Sequence, residues 1–155
     1  IYTGEDTLSL HDALPIFSGL KTPGSLEPFT KLEIEHILPD NPKAELRATW
    51  AAENPNAVYD DYKNRLGNLT LLEKPINIVA GNDFYTAKQV EYGKSGNYLT
   101  RSLGALTDVG QNTSISRINA KLAAFPAWNA ASIERRHGLL ITLAQDVWKT
   151  SPIDV

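Results

Sequence analysis

EIEHILP (Glu33–Pro39) closes a stretch, Lys31–Leu38, that alternates polar and apolar side chains, and LGNLTLL (Leu66–Leu72) stands further along the chain. In the first stretch Leu32 and Ile34 are followed by Ile37 and Leu38. That is the period of a half-buried strand, and it stops where Pro39 removes a backbone donor. The second reads as a strand over Leu66–Glu73, entered through Gly67. Between them, Pro42–Ala52 is expected to be a short helix with Asn41 as cap and Pro42 at its first position. ENPNAVYDDYKNR after it reads as a polar loop with one helical turn. Pro75 to about Gly93 is expected to be helical, broken near Gly81, with Phe84, Ala87, Lys88, Val90 and Tyr92 on an apolar stripe. Asn112–Phe125 and Asn129–Lys149 complete the helical reading. Ile133, Leu140, Leu143, Ala144, Val147 and Trp148 form the last stripe, and such stripes are core rather than chemistry.

The order strand, loop, strand, helix places chemistry-bearing residues together. Glu35 and His36 come late on the first strand, Asn68 begins the second, and Asn77 opens the helix. Phosphodiester hydrolysis needs a base to activate water and a cation to offset charge on the phosphate. A histidine of ordinary pKa, about 6.5, supplies a neutral base near pH 7. Glu35 and Asn77 offer hard oxygen donors suited to Mg²⁺ or Mn²⁺. Adjacent strand residues point to opposite faces, so Glu35 and His36 share a site only if the strand ends or bulges there.

Each residue also has a plain structural reading. A lone strand histidine is more often structural than catalytic. Asn68 suits a turn after Gly67, Asn77 suits a helix cap, and Lys88 suits a helix surface. The run Arg135-Arg136-His137 reads as a solvated helix face that could touch DNA phosphate.

IEHILP, LGNLTLL, the Asn77, Asn82, Lys88 spacing, the Tyr92–Ser95 pair and Arg136 between Trp128 and Trp148 resemble the HNH, or ββα-metal, nuclease motif. More closely they resemble the C-terminal domain of GmrSD-type modification-dependent restriction endonucleases. The likeness spans about Lys31 to Trp148. It implies an α+β fold, with a small ββα-metal core over residues 31–95 and additional C-terminal helices over 96–155 of the same domain. It implies His36 as general base and Asn68 as the residue that ties down the loop holding that base. Glu35 and Asn77 are implied as ligands of one Mg²⁺ or Mn²⁺, without structural zinc. Lys88 is implied as a lysine that contacts phosphate or braces the site. Asn82 stands at a recurring position in a supporting role, and Arg135 and Arg136 are candidates for phosphate contact. The implied activity is endonucleolytic cleavage of DNA, with modified DNA as the family's target, in phage defence within a bacterial or archaeal cytoplasm. A nucleotide-hydrolysing domain is expected N-terminal to this one. The competing reading is a non-catalytic relative that binds nucleic acid or a partner.

Composition narrows the classes further. The 155 residues suit one domain, and no apolar run is long enough to span a membrane. There is no cysteine, which removes disulfides, thiolate zinc sites and a cysteine nucleophile, and fits a cytoplasmic protein. The net charge of −3 argues against a nonspecific polycation. TLSLHDALPI (Thr7–Ile16) translates ACT CTT TCC CTA CAC GAC GCT CTT CCG ATC, a common short-read sequencing adapter, and Ile1–Asp6 continues the same reading. Residues 1–16 are therefore expected to be translated adapter, and 17–30 a truncated lead-in loop. On that reading His11-Asp12 has no catalytic meaning, and the chain is the C-terminal piece of a longer protein. Setting aside Glu5, Asp6 and Asp12 leaves 15 acidic against 15 basic residues.

Overall fold

The computed structural model describes residues 31–106 and 119–148. Two strands, β1 (Leu32–His36) and β2 (Leu69–Glu73), form an antiparallel pair. The register sets Leu32 opposite Glu73, Ile34 opposite Leu71, Glu35 opposite Thr70 and His36 opposite Leu69. The connection between them carries α1 (Ala44–Glu53), α2 (Tyr59–Lys63) and a 3₁₀ turn (Leu66–Asn68). After β2 come α3 (Lys74–Ala80), α4 (Tyr85–Tyr92), α5 (Tyr98–Arg101) and the long α6 (Ala130–Trp148). This is a small α+β fold.

The alternation of β1 produces two unlike faces. Glu35, Thr70 and Leu72 are buried beneath the helices that follow, while Ile34 and Leu71 stay exposed on the other side. The core gathers Ile37 and Leu38 after β1, Leu46 and Trp50 of α1, Tyr59 of α2, Tyr85 and Tyr92 of α4, and Trp128 and Ile133 near and in α6. At about 25 cal/mol per Å² of apolar area removed from water, this shared cluster is the main source of stability. Trp50 stands edge-on to Tyr59 at 5.7 Å, and Phe125 edge-on to Trp128 at 5.4 Å, the arrangement aromatic quadrupoles favour.

The expected break near Gly81 is present. Gly81 adopts φ +51°, and its N–H closes α3 on the carbonyl of Asn77 at 3.0 Å. Other expectations shift. The second strand begins at Leu69, because Leu66–Asn68 winds into the 3₁₀ turn. The first helix begins at Ala44, with extended Lys43 before it, so Asn41 and Pro42 lie outside it. Asn77 sits inside α3 and is no cap, since that helix opens at Lys74. Val90 and Ala87 point to solvent, and the buried face of α4 is Tyr85, Lys88 and Tyr92. Of the helix expected over 112–125, residues 112–118 lie outside the described set. Residues 122–125 are not helical: Phe125 precedes Pro126, which disfavours helical backbone, and its N–H pairs with the carbonyl of Leu103 at 3.0 Å. The last helix forms as expected. Asn129 caps it, its side-chain oxygen accepting from Ser132 N–H at 2.9 Å.

Candidate active site

His36 ends β1 and is half-buried. Its ring Nε2 lies 3.1 Å from Oδ1 of Asn64, the residue after α2. The segment that follows it is fixed by Asn68, which is fully buried. Asn68 Oδ1 accepts from Leu38 N–H at 2.7 Å and from the Trp128 indole N–H at 2.9 Å. Its Nδ2 donates to the carbonyls of Leu38 at 2.9 Å and Lys63 at 2.7 Å. Both donors and both acceptor positions of one amide are used. Asn68 therefore has no group left for a substrate, and its geometry is that of a positioning residue.

The turn that carries Asn68 is clamped in its own right. Arg136 of α6 is 5% exposed and donates to the carbonyls of Gly67 at 2.8 Å and Leu69 at 2.7 Å. Burial lowers its pKa from the ordinary arginine value to about 10. A Cβ on Gly67 would collide with the carbonyl oxygen of Ile133 and lie 2.9 Å from the His137 nitrogen. Only glycine lets α6 approach the turn this closely. This corrects the solvated-face reading of the Arg135–His137 run. Arg136 is committed to the turn and is not available to phosphate, while Arg135 is exposed and lies over the Phe125 ring.

Lys88 is also turned inward. It is 1% exposed, and its Nζ donates to Glu35 Oε1 and to the carbonyl of His36, both at 2.7 Å. Of the two roles implied for it, bracing fits this placement and phosphate contact does not. Burial lowers its pKa, and Glu35 opposes that shift. Tyr92 O–H donates to the same Glu35 oxygen at 2.7 Å, and burial, with Glu35 beside it, pushes the phenol pKa far up. Ser95 and Gly96 hold Glu73, each at 2.7 Å from a carboxylate oxygen.

Strand pairing runs regularly through His36, so alternation sets Glu35 on the covered face and His36 on the more open one. The structure therefore does not join the Glu35 carboxylate and the His36 ring on one face. Asn77 Nδ2 donates to Glu33 Oε2 at 3.1 Å, and Lys74 pairs with the other Glu33 oxygen at 3.4 Å. Asn82 is exposed in the turn between α3 and α4. Among the described residues, no three His, Asp or Glu side chains gather as a metal cluster. Lys88 and Tyr92 engage Oε1 of Glu35, whereas Asn77 is anchored through its nitrogen to Glu33, so the two expected ligands have separate partners.

Sequence reading passed over Asn64 and Glu33. Asn64 lies in a polar loop with nothing in its spacing to mark it. Glu33 precedes Glu35 by two residues on the same alternation, which was the available signal.

Fold and site together define a small α+β domain organised around one braced, half-open strand histidine. The chain matches the family model of the C-terminal domain of GmrSD restriction endonucleases over residues 16–143, and it belongs to that family. No curated protein and no solved structure matches it. Among the described residues, no helix is long and apolar enough to cross a membrane.

Proposed function

We propose that this domain hydrolyses phosphodiester bonds in DNA with His36 as general base. The observation that carries the reading is the treatment of His36 itself. Its ring stays half-open, while its carbonyl is held by Lys88 and the residues after it by Asn68. A base gains from such fixing, because proton transfer depends on placement before it depends on pKa. Membership in a restriction-endonuclease family supports DNA as the substrate.

In this reading the imidazole takes a proton from water. The resulting hydroxide attacks phosphorus in line, the bond to the 3′-oxygen breaks, and that oxygen takes a proton from water, leaving 5′-phosphate and 3′-hydroxyl ends. Glu35 and Asn77 would hold one Mg²⁺ or Mn²⁺, which supplies stabilisation of charge on the phosphate and the departing oxygen. Lys88 and Tyr92 hold Glu35, and Asn68 keeps the loop after the base in place. The family is one of C-terminal domains. An N-terminal nucleotide-hydrolysing domain that governs cleavage and selects modified DNA belongs to the same proposal.

A second reading draws on Glu35. Its neutralisation by Lys88, on the face away from the His36 ring, suits a module that binds nucleic acid or a partner without cutting. Plasmid nicking with Mg²⁺ or Mn²⁺ separates the two. The wild type is expected to nick and His36→Ala to lose activity by two or more orders of magnitude, the usual reach of a general base. Equal nicking by both refutes the base assignment.

A further inference from the structure

We propose that Asn64 is a positioning residue for His36, fixing the ring as the Nε2–H tautomer so that Nδ1 receives the proton. The inference rests on the reading of His36 as base, but its structural part can be tested without activity. The contact is Nε2 to Asn64 Oδ1 at 3.1 Å. An amide oxygen only accepts, so Nε2 must carry the hydrogen. In the neutral ring the free lone pair then belongs to Nδ1.

Both partners of this contact are half-open or exposed, and such a pair at a surface would ordinarily be incidental. Three ties argue that it is built. The Asn68 amide that holds Leu38, two residues after His36, also holds the carbonyl of Lys63, one residue before Asn64, at 2.7 Å. Tyr59 O–H donates to the carbonyl of Pro39 at 2.6 Å. Lys63 Nζ pairs with Asp40 at 2.7 Å. α2 is thus laced to the segment following the base by a buried amide, a buried phenol and an ion pair. The last residue tied is Lys63, and the next one, Asn64, meets the imidazole. The charged groups around the ring are Asp40 and Lys63, which pair with each other, Asp60 at 3.6 Å from Lys63, and Lys88 at the His36 carbonyl.

The test reads His36 by ¹⁵N-edited NMR of the full chain, with its signals assigned by their loss in His36→Gln. The wild-type ring is expected as the Nε2–H tautomer when neutral. Asn64→Ala removes the acceptor and is expected to move the ring toward the mixed tautomer population of a free histidine. Asn64→Asp keeps an acceptor and is expected to keep the Nε2–H form. Circular dichroism is expected to stay unchanged in both variants. A neutral Nδ1–H tautomer in the wild type, or a tautomer population unmoved in Asn64→Ala, overturns the proposal. In nicking assays Asn64→Ala is expected to slow the reaction and Asn64→Asp to restore part of the rate. A wild type that binds DNA without nicking it overturns the nuclease reading, while the NMR result still decides the role of Asn64.

Discussion

Lys88 Nζ lies 2.7 Å from Glu35 Oε1 and 2.7 Å from the carbonyl oxygen of His36, so one buried ammonium braces both members of the Glu-His pair. Glu35 is held through its side chain and His36 through its backbone. The strand end is thereby fixed without touching the ring of His36.

The first prediction concerns that brace. Lys88→Met leaves Glu35 buried without its counter-ion and is expected to cost about 3–5 kcal/mol of stability. The double variant Glu35→Gln with Lys88→Met removes both charges, and is expected to recover a large part of the loss. Urea unfolding of the four species measures the coupling. A double variant as unstable as the sum of the singles would show that the pair does not act as a pair.

Asn68 should be the most sensitive polar position. Asn68→Ala leaves the N–H and carbonyl of Leu38, the carbonyl of Lys63 and the indole of Trp128 without their partner. Buried groups left unsatisfied cost about 1–3 kcal/mol each before relaxation, and a net loss of about 3–5 kcal/mol is expected in equilibrium unfolding. Nicking is expected to fall with it even below the melting temperature, since the segment after His36 is released.

The two adjacent arginines should behave oppositely. Arg136→Ala removes both hydrogen bonds to the Gly67 turn and is expected to lower stability by about 2–4 kcal/mol. Arg135→Ala, on the exposed side, is expected to stay within about 0.5 kcal/mol of wild type. Thermal unfolding of the pair checks this. Gly67→Ala should resemble Arg136→Ala, because the new methyl group drives α6 away from the turn.

Alkaline pH provides a separate check on burial. Tyr85 shares its O–H between the carbonyls of Leu103 at 3.0 Å and Phe125 at 2.9 Å. Burial raises its pKa from the ordinary 10.0 to about 12, and burial raises Tyr59 and Tyr92 as well. With the folded value raised, the contribution is fully present below pH 10 and is lost as pH climbs toward about 12. Comparing Tyr85→Phe with wild type across that window should flatten the decline by about 1.4 kcal/mol per pH unit. Parallel declines would place the Tyr85 phenol in water.

Much of the fold was legible in local signals. Alternation marked the first strand, Gly81 marked the break between α3 and α4, and the apolar stripe from Ile133 to Leu143 marked α6. These are properties of neighbouring residues, where pattern and backbone chemistry act directly. The misreadings arose where distant residues decide. Arg136 falls on the same stripe as Ile133, Leu140 and Leu143, three or four residues from its neighbours, and its charge concealed that it faces inward. Lys88 falls between Tyr85 and Tyr92 in the same way. Each is buried because a carboxylate or a pair of carbonyls far along the chain receives it. No local pattern encodes such a partner.

The sequence by itself determined the α+β character, the strand that bears Glu35 and His36, and the family to which the chain belongs. These follow from period, turn chemistry and ordered motifs. Only the tertiary structure decided that Asn68 spends its whole amide on the loops flanking the site, that Lys88 and Arg136 are internal braces, and that Asn64 meets the imidazole. Apart from Asn68 with Lys63, those contacts join residues 28 to 69 positions apart, such as Asn64 with His36 and Arg136 with Gly67. Hydrogen bonds of that kind form only after the hydrophobic core has brought the segments together.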